Sequence, residues 1–438
     1  MRYTLPLLAI ALLASACEIS GPPENGDPPA TTAADRPDRA EVCDADDGEI
    51  LLPEGFCARV FAEAGSSRHI AVRDNGTVYV MLREPADGGG VVALRDTTGD
   101  HRADVEERFG DFGGTGIRIH GDYLYASSNT AVYRWRFQGD ELVPAGERET
   151  VVSGFPEQRQ HASKSFAISG AGDLFVNIGA PSNNCMEQTR TAGSPGQDPC
   201  PELLDGAGIW RFDANQTGQE YSRDARFATG IRNVVGLDIN PVDGQLYVVQ
   251  HGRDQLDQFW PAHYDAEDNA RLPSEEYLRV NEGEDYGWPY CYHDPMQNRR
   301  VLSPEYGGNG QEVGRCDQYP NPLFAFPAHW APQEVLFYTG DQFPARYRDG
   351  VFVAWHGSWN RAPEPQRGYK VTFLPSQNGQ PGDGFEEFAD GFAHVEGEIG
   401  SPGDARWRPM GLAQARDGAL YIADSKQGRI WRVVHVGD

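Results

Sequence analysis

Residues 229–254 read TGIRNVVGLDINPVDGQLYVVQHGRD. The stretch contains two hydrophobic strands, and an Asp-Gly pair at positions 243–244 lies between them. Asp-Gly is typical of hairpin turns, because both residues tolerate the positive φ that such turns require. Arg232 and Asn233 come immediately before the first strand. The stretch therefore predicts a β-hairpin that presents polar side chains at one end.

The same pattern occurs six times along the chain, as a turn with Gly, Asp or Asn followed by a strand centred on an aromatic residue. The aromatic residues are Tyr79, Tyr125, Phe175, Tyr247, Phe352 and Tyr421. A second hydrophobic strand follows each copy, at 91–95, 131–135, 208–212, 276–280, 368–372 and 429–433. This repeat predicts an all-β protein, a six-bladed β-propeller with four-stranded antiparallel blades. We expect a strand near residues 56–62 to complete the last blade; a β-sandwich is the alternative fold.

The first residues of the chain predict export. Residues 1–16 combine Arg2, a short apolar run and small residues before Cys17, which is typical of a lipoprotein signal peptide. The apolar run is too short to span a bilayer permanently. We expect membrane attachment through lipidated Cys17 and a periplasmic or cell-surface location. A plain secretory signal with a chance Cys is the alternative.

The remaining chain divides by composition into a tether and a folded domain. Residues 17–42 are rich in Pro, Gly, Ala and Asp, so they predict a flexible tether that carries the lipidated Cys. Residues 43–438 are assigned to the propeller domain.

Six cysteines remain after Cys17, and they form three couples that are close in sequence. Six cysteines allow 15 connectivities. Because exported proteins meet an oxidising compartment, we favour the disulfides Cys43–Cys57, Cys185–Cys200 and Cys291–Cys316. The formal net charge of −27 argues against nucleic acid or other polyanions as partners.

His161, Arg232 and Arg408 lie at similar distances before the aromatic strands of three different copies of the repeat. Residues just outside equivalent strands converge at one mouth of a propeller. These three side chains are therefore expected to contribute to one site.

These segments resemble the glucose/sorbosone dehydrogenase family, soluble quinoproteins that use pyrroloquinoline quinone (PQQ) and calcium. The resemblance covers most of residues 45–435. It implies that His161 is the catalytic base and that Arg232 and Asn233 bind the cofactor. It also implies that the backbone carbonyls of Gly252 and Arg253 bind calcium.

Further residues are carried over from the same resemblance. His356, Trp359 and Arg361, within His-Gly-Ser-Trp-Asn-Arg, are similar to the sorbosone dehydrogenase branch, and we expect them to bind the cofactor. Lys370, Arg406 and Arg408 match cofactor-binding basic residues of the family. PQQ has three carboxylates, so several guanidinium or ammonium groups are expected around it. Lys164 departs from the Arg expected three residues after the catalytic His.

The resemblance implies a PQQ- and calcium-dependent oxidoreductase that oxidises aldose sugars or sorbosone-like aldehydes. Electrons would pass to a separate acceptor, since the chain has no Cys-x-x-Cys-His haem motif. The insertions at 181–207 and 261–320 are expected to determine specificity, with Asn183 and Asn184 shaping the mouth of the site.

Two other functions remain open from the sequence. One is a metal-dependent, lactonase-type hydrolase, for which Asp254, Asp285 and Asp424 are candidate carboxylates. The other is a non-catalytic carbohydrate- or protein-binding propeller, which would need neither a cofactor nor His161.

Overall fold

The computed structural model describes Met1, residues 38–377 and residues 379–437. Pro37–Asp438 forms one compact unit. The predicted signal peptide, Cys17 and most of the tether lie outside the described residues. Within the end of the predicted tether, Asp38 accepts a hydrogen bond from the backbone N–H of Ala40 and thereby caps a short helix, α1 (Arg39–Val42).

The described residues form 29 strands and few helices. In chain order the strands are β1 (Phe56–Glu63), β2 (Ser67–Val72), β3 (Val78–Ala86), β4 (Gly89–Arg95), β5 (Val105–Phe109), β6 (Ile117–His120), β7 (Tyr123–Ser127), β8 (Ala131–Arg136), β9 (Glu149–Ser153), β10 (Phe166–Ile168), β11 (Asp173–Ile178), β12 (Gly208–Asp213), β13 (Gln219–Glu220), β14 (Arg226–Thr229), β15 (Val234–Ile239), β16 (Leu246–Gln250), β17 (Glu275–Val280), β18 (Cys291–Asp294), β19 (Arg299–Leu302), β20 (Phe324–Phe326), β21 (Pro332–Phe337), β22 (Val351–Trp355), β23 (Lys370–Leu374), β24 (Ser376–Gln377), β25 (Gln380–Pro381), β26 (Glu386–Ala389), β27 (Pro409–Gln414), β28 (Leu420–Asp424) and β29 (Arg429–His435).

Two further α-helices lie in the insertion after β16. They are α2 (Leu256–Phe259) and α3 (Ala266–Arg271). Short 3₁₀ helices occur at Asp47–Glu49, Pro201–Leu204, Arg223–Ala225, Pro304–Tyr306, Gly314–Gln318 and Ala345–Tyr347. Among the described residues, no helix is both long and apolar enough to cross a membrane.

The strands form a six-bladed propeller, as predicted. From the centre outward, the blades are β2–β5, β6–β9, β10-β11-β12-β14, β15-β16-β17-β20, β21-β22-β23-β26 and β27-β28-β29-β1. The first strands of neighbouring blades contact one another around the whole ring. The two-residue strand β13 extends the second blade by pairing parallel to β9. The pairs β18–β19 and β24–β25 form separate small hairpins.

The last blade is completed by the start of the chain. β1 pairs antiparallel with β29, with Phe56 opposite His435 and Glu63 opposite Arg429. The strand predicted near residues 56–62 is therefore confirmed. This pairing joins the two ends of the domain. The outermost strand of the sixth blade, β1, comes from the start of the chain, and its other three strands come from the end.

Each repeated aromatic residue lies on the second strand of a blade and is buried. Their side chains pack between blades or against the hairpin at the blade's end; for example, the hydroxyl of Tyr125 donates to the carbonyl of Ala214 at 3.0 Å. The repeat is thus the part of each blade that contributes most regularly to the core.

The three predicted disulfides are confirmed: Cys43–Cys57, Cys185–Cys200 and Cys291–Cys316. Disulfides are typical of proteins in oxidising compartments. The second and third belong to the two large insertions, and their sulfurs lie in one hydrophobic cluster with Trp288 and Tyr290. The two insertions therefore pack on each other beside the ring.

Candidate functional site

A cavity of about 270 Å³ lies where the innermost strands begin. Arg232 and Asn233 precede β15, and Arg408 directly precedes β27, so loops from different blades form its walls. The cavity is lined by His161, Arg232, Asn233, Val235, His251, Gly252, Asp254, Glu275, His329, Ala331, Gln333, His356, Gly357, Trp359, Asn360 and Arg408. The repeat predicted that three residues converge in one site. All three line this cavity: His161, Arg232 and Arg408.

His161 reaches the cavity from the loop before β10. Its Nδ1 lies 2.6 Å from the carbonyl oxygen of Ala180. Because a carbonyl only accepts hydrogen bonds, Nδ1 carries the proton, and Nε2 of the neutral ring has a free lone pair. Burial lowers the pKa of His161 well below its ordinary value, and the charge of Arg232 lowers it further. The imidazole is therefore a neutral base at neutral pH.

The backbone around His161 is closely packed. His161 has a φ of 51°, in the left-handed region that non-glycine residues seldom adopt. Opposite it, a Cβ added to Gly179 would lie 2.6 Å from both the Cβ of His161 and Oδ1 of Asn233. Only glycine fits there, so His161 and Asn233 approach each other across Gly179.

Arg232 is almost completely buried, and four acceptors surround its guanidinium. Nη1 donates to the carbonyl of Gly252 at 2.8 Å, and Nε donates to the carbonyl of Asn183 at 3.0 Å. Nη2 donates to Oδ1 of Asn183 and to Oδ2 of Asp254, each at 2.9 Å. These bonds fix the orientation of the guanidinium at the cavity wall.

Arg408 supports the wall of the cavity that lies before β27. Its Nε donates to the carbonyl of His356 at 2.7 Å, and its Nη2 donates to the carbonyl of Gly357 at 2.8 Å. The ring of His356 is held by a 2.6 Å hydrogen bond between Nε2 and the hydroxyl of Ser425. Trp359, two residues beyond Gly357, lines the same cavity with half of its surface exposed.

Burial is the main reason that the histidines lining the cavity have lowered pKa values. Burial lowers the pKa of His251 to about 4, and Arg232 contributes to this shift. Burial lowers the pKa of His356 well below its ordinary value, and Arg408 and Arg68 lower it further. Three histidines are thus kept neutral beside guanidinium groups, an environment that favours an anionic ligand.

Hard oxygen atoms occur on one side of the cavity. The carbonyl of Gly252, and the carboxylates of Asp254 and Glu275, all belong to residues that line it. Glu275 accepts hydrogen bonds from the N–H of Gly252 at 2.7 Å and the N–H of Ala331 at 3.1 Å. Burial raises the pKa of Glu275 to about 8. Arg253 is not among the residues that line this cavity, and its side chain pairs with Glu305 at 2.6 Å.

Three predicted cofactor-binding residues lie outside this cavity. Lys370 pairs with Glu387 at 2.6 Å and with Asp390 at 2.9 Å. Arg406 pairs with Glu49 at 2.7 Å and stacks over Trp407. Arg361 donates to the carbonyl of Pro365 at 3.0 Å and also to that of Ala270. Their cofactor-binding roles remain predictions, and the structure gives each of them protein partners instead.

Asn183 and Asn184 are both buried. Asn183 bonds to Arg232 and to Asp254, and Asn184 donates to the carboxylate of Glu305. The sequence analysis expected these two residues to shape the mouth of the site. In the structure they are not among the residues that line the cavity, and they support its wall from behind.

Several cavity residues had not been selected from the sequence. They are Val235, His251, Glu275, His329, Ala331, Gln333, Gly357 and Asn360. His251 had a signal, since it directly precedes Gly252 in the stretch at 229–254. Gln333 had none, because the hairpin between β21 and β22 is longer than in other blades and displaces the expected spacing.

A family model described as TrAA12-like matches residues 51–436. The chain belongs to the TrAA12-like family. The match includes every residue that lines the cavity and every strand of the six blades.

Curated relatives of this TrAA12-like chain include enzymes with a named cofactor. A pyrroloquinoline quinone-dependent pyranose dehydrogenase of Coprinopsis cinerea is 24% identical over 353 residues, 72% of this chain and 45% of that protein. A pyrroloquinoline quinone-dependent sugar dehydrogenase of Hypocrea jecorina is 21% identical over 414 residues, 90% of this chain and 84% of that protein. An uncharacterized protein of Borreliella burgdorferi is 29% identical over 211 residues, 48% of each chain.

The chain spans about half the length of the Borreliella and Coprinopsis proteins. Among solved structures, the calcium structure of the Trichoderma reesei family AA12 protein has a TM-score of 0.70 at 20% identity. It covers 88% of this chain and 97% of that chain. The predicted resemblance to PQQ-dependent sugar dehydrogenases is confirmed at the level of family and fold.

Proposed function

We propose that this protein is a PQQ- and calcium-dependent dehydrogenase that oxidises aldose sugars or sorbosone-like aldehydes. The observation that carries the proposal is the cavity in which a neutral His161, with Nε2 free to accept a proton, lies beside the guanidinium of Arg232. The names of the Coprinopsis and Hypocrea relatives support the cofactor and the class of substrate.

The residues of the cavity fit an anionic quinone. Arg232 and Arg408 supply guanidinium groups from two different blades, and Asn233 and His356 supply neutral hydrogen-bonding groups. The half-exposed ring of Trp359 offers an aromatic face. The two guanidinium groups beside the neutral His251 and His356 favour a ligand with several carboxylates. We assign these residues to PQQ binding.

The oxygen atoms on the Gly252 side fit a calcium ion. Calcium prefers oxygen ligands, including backbone carbonyls and carboxylates. We assign the backbone carbonyls of Gly252 and Arg253 as its ligands, and calcium binding requires Nη1 of Arg232 to release the Gly252 carbonyl, to which it donates at 2.8 Å. Asp254 supplies nearby negative charge, which offsets the charge of the guanidinium groups. Glu275, whose pKa burial raises to about 8, is mainly protonated at neutral pH.

The chemistry of the chain's own residues follows from this placement. When bound, the quinone with its calcium supplies a hydride acceptor and a Lewis acid. His161 Nε2 takes the proton from the hydroxyl group of the sugar that is being oxidised. Ala180 holds the opposite nitrogen of the ring, so the base keeps its tautomer and orientation.

The hydrolase alternative has weaker support. Of its three candidate carboxylates, only Asp254 lines the cavity, and Arg232 neutralises it. Asp424 accepts hydrogen bonds from the backbone N–H groups of Arg408, Lys426, Gln427 and Gly428. Asp254 and Asp424 are thus used within the fold.

Export, lipidation at Cys17 and a separate electron acceptor are part of the proposal. The three disulfides support an oxidising compartment. Mass spectrometry of the protein from membranes tests lipidation directly: an acylated N-terminal Cys17 supports it, and an unmodified N-terminus after another residue rejects it.

Reconstitution tests the function. Purified protein is mixed with PQQ and calcium, and reduction of a soluble dye is followed with a panel of aldoses and with sorbosone. The expected result is turnover that needs both additions. Hydrolysis of lactones without PQQ, together with no dye reduction, would establish the hydrolase instead.

A further inference from the structure

We propose that Gln158 is a positioning residue that holds His161 in its strained, reactive orientation. The inference rests on the proposed role of His161 as the base. Gln158 is part of the same loop before β10, three residues earlier in the chain, and it does not line the cavity.

The side-chain amide of Gln158 contacts three backbone carbonyl groups. Its Nε2 lies 2.8 Å from the carbonyl oxygen of Gln160, 2.9 Å from that of His161 and 3.0 Å from that of Gly179. An amide has two N–H groups, so one of the bonds is shared between two acceptors. Since all three partners only accept, the orientation of the amide is fixed.

These bonds connect the two segments that determine where the imidazole lies. One segment carries the backbone of His161, whose φ of 51° requires support from its surroundings. The other contains Gly179 and Ala180, and the carbonyl of Ala180 accepts the Nδ1 proton at 2.6 Å. Gln158 therefore fixes the distance between the ring and the carbonyl that selects its tautomer.

The second segment is also bonded to the backbone of Arg232, which lines the cavity. The N–H of Ala180 donates to the carbonyl of Arg232 at 2.7 Å. Gly179 fills the space between His161 and Asn233 with no room for a side chain. An error in the position of either segment would therefore move the base relative to Arg232 and Asn233.

The test uses two variants of Gln158, one of the same size and one with a shortened side chain. Gln158→Glu places a carboxylate oxygen against three carbonyl oxygens, and Gln158→Ala removes the contacts without repulsion. Gln160→Ala is the control, because it removes a side chain from the same loop and leaves the bonds of Gln158 in place. Melting curves first establish that each variant is folded.

The first readout needs no turnover. Proteins labelled with ¹⁵N-histidine are compared by NMR, and the His161 signals are assigned by their loss in His161→Gln. We expect wild type and Gln160→Ala to show His161 with Nδ1 protonated and Nε2 bare. Gln158→Glu should lose the protected Nδ1 proton and show mixed tautomers.

The second readout is steady-state kinetics of the reconstituted protein. We expect kcat to fall ~10-fold or more in Gln158→Glu with little change in KM, because the base is displaced while the substrate still binds. An unchanged tautomer and unchanged kcat in both Gln158 variants would overturn the inference. A changed tautomer in Gln158→Glu, together with a reconstituted wild-type protein that never turns over, would leave the inference intact and reject the proposed function.

Discussion

Arg232 and Asp254 form an ion pair at the wall of the cavity, with Nη2 of Arg232 2.9 Å from Oδ2 of Asp254. The guanidinium side chain is 4% exposed and the carboxylate side chain 15% exposed. Asn183 binds both partners, since its Oδ1 accepts from Arg232 and from the N–H of Asp254. The cation most strongly implicated in ligand binding is therefore also a structural link between the blade and the first insertion.

This relationship predicts a double effect of Arg232→Ala. Breaking a largely buried pair leaves the carboxylate of Asp254 without its cation, so the free energy of unfolding should fall by about 3 kcal/mol. Affinity for PQQ should also fall, by ~10-fold or more. Denaturant unfolding and calorimetry measure the two effects.

A matched control is Arg211→Ala, which removes an exposed pair with Glu282 on the surface. Its unfolding free energy should change by less than about 1 kcal/mol, with no change in affinity. Equal effects of the two substitutions would contradict the assigned role of Arg232.

His161→Gln tests the base. Glutamine keeps a hydrogen-bonding side chain but cannot take the proton, so kcat should fall by ~10²–10⁴-fold while PQQ still binds. Dye reduction and a binding titration on the same preparation separate the two. Full turnover in the variant would show that another group is the base.

The pH dependence of activity follows from the environment of the same residue. Because burial and Arg232 lower the pKa of His161 well below its ordinary value, the neutral base persists below pH 6.5 in the free protein. We expect kcat/KM to stay level as pH falls through 6.5 and to decline only at lower pH. A decline centred at or above pH 6.5 would show that the ring is not desolvated.

Lys164 predicts a second, independent pH effect, on stability. It is fully buried, its ammonium donates to the carbonyl of Ala162 at 2.8 Å, and burial lowers its pKa to about 8. The unfolded chain has the ordinary pKa of 10.5 and so binds more protons between pH 8 and 10.5. The free energy of unfolding should therefore rise with pH across this window, as the cost of burying the charge disappears.

Lys164→Met removes that cost at neutral pH. The shift from 10.5 to about 8 corresponds to about 3 kcal/mol, from which the lost hydrogen bond to Ala162 subtracts about 1 kcal/mol. The variant should be more stable than wild type at pH 7, and this difference should shrink as pH rises above 8. The exposed Lys426→Met serves as control; a destabilised Lys164→Met with no pH-dependent difference would contradict the account.

The disulfides provide a comparison of two loops of similar length. The cysteines of Cys185–Cys200 are 15 positions apart in the sequence, and those of Cys43–Cys57, at β1, are 14 positions apart. Removing either bridge with paired Ser substitutions should lower the free energy of unfolding by about 3 kcal/mol. Only loss of Cys185–Cys200 should also weaken PQQ binding, because Asn183 and Asn184 precede Cys185. Equal loss of affinity in both would show that the effect is one of global stability.

Much of the fold was predictable from the sequence because the blades repeat. The aromatic residue at the second strand, from Tyr79 to Tyr421, recurs in every blade, and β1 was found as the missing strand of the last one. The convergence of His161, Arg232 and Arg408 followed from the same repeat, since equivalent loops meet at the axis.

Other parts of the site were not predictable in this way. Arg406 lies only two residues from Arg408, yet it pairs with Glu49 from the N-terminal segment, a contact that no local pattern indicates. Glu275 reaches the cavity from the third strand of its blade, where the repeat shows no signal. Ion pairs and burial between distant segments decide these positions, and they depend on the packed structure.

The most direct test of the account is titration of PQQ into the purified protein with and without excess calcium, followed by calorimetry and by the absorption of the quinone. The account predicts saturable binding of one PQQ per chain that is strengthened by calcium and weakened by Arg408→Ala, which alters the cavity wall before β27. Absence of binding in both conditions, from a protein shown to be folded by its melting curve, would contradict the assignment of this cavity to a quinone cofactor.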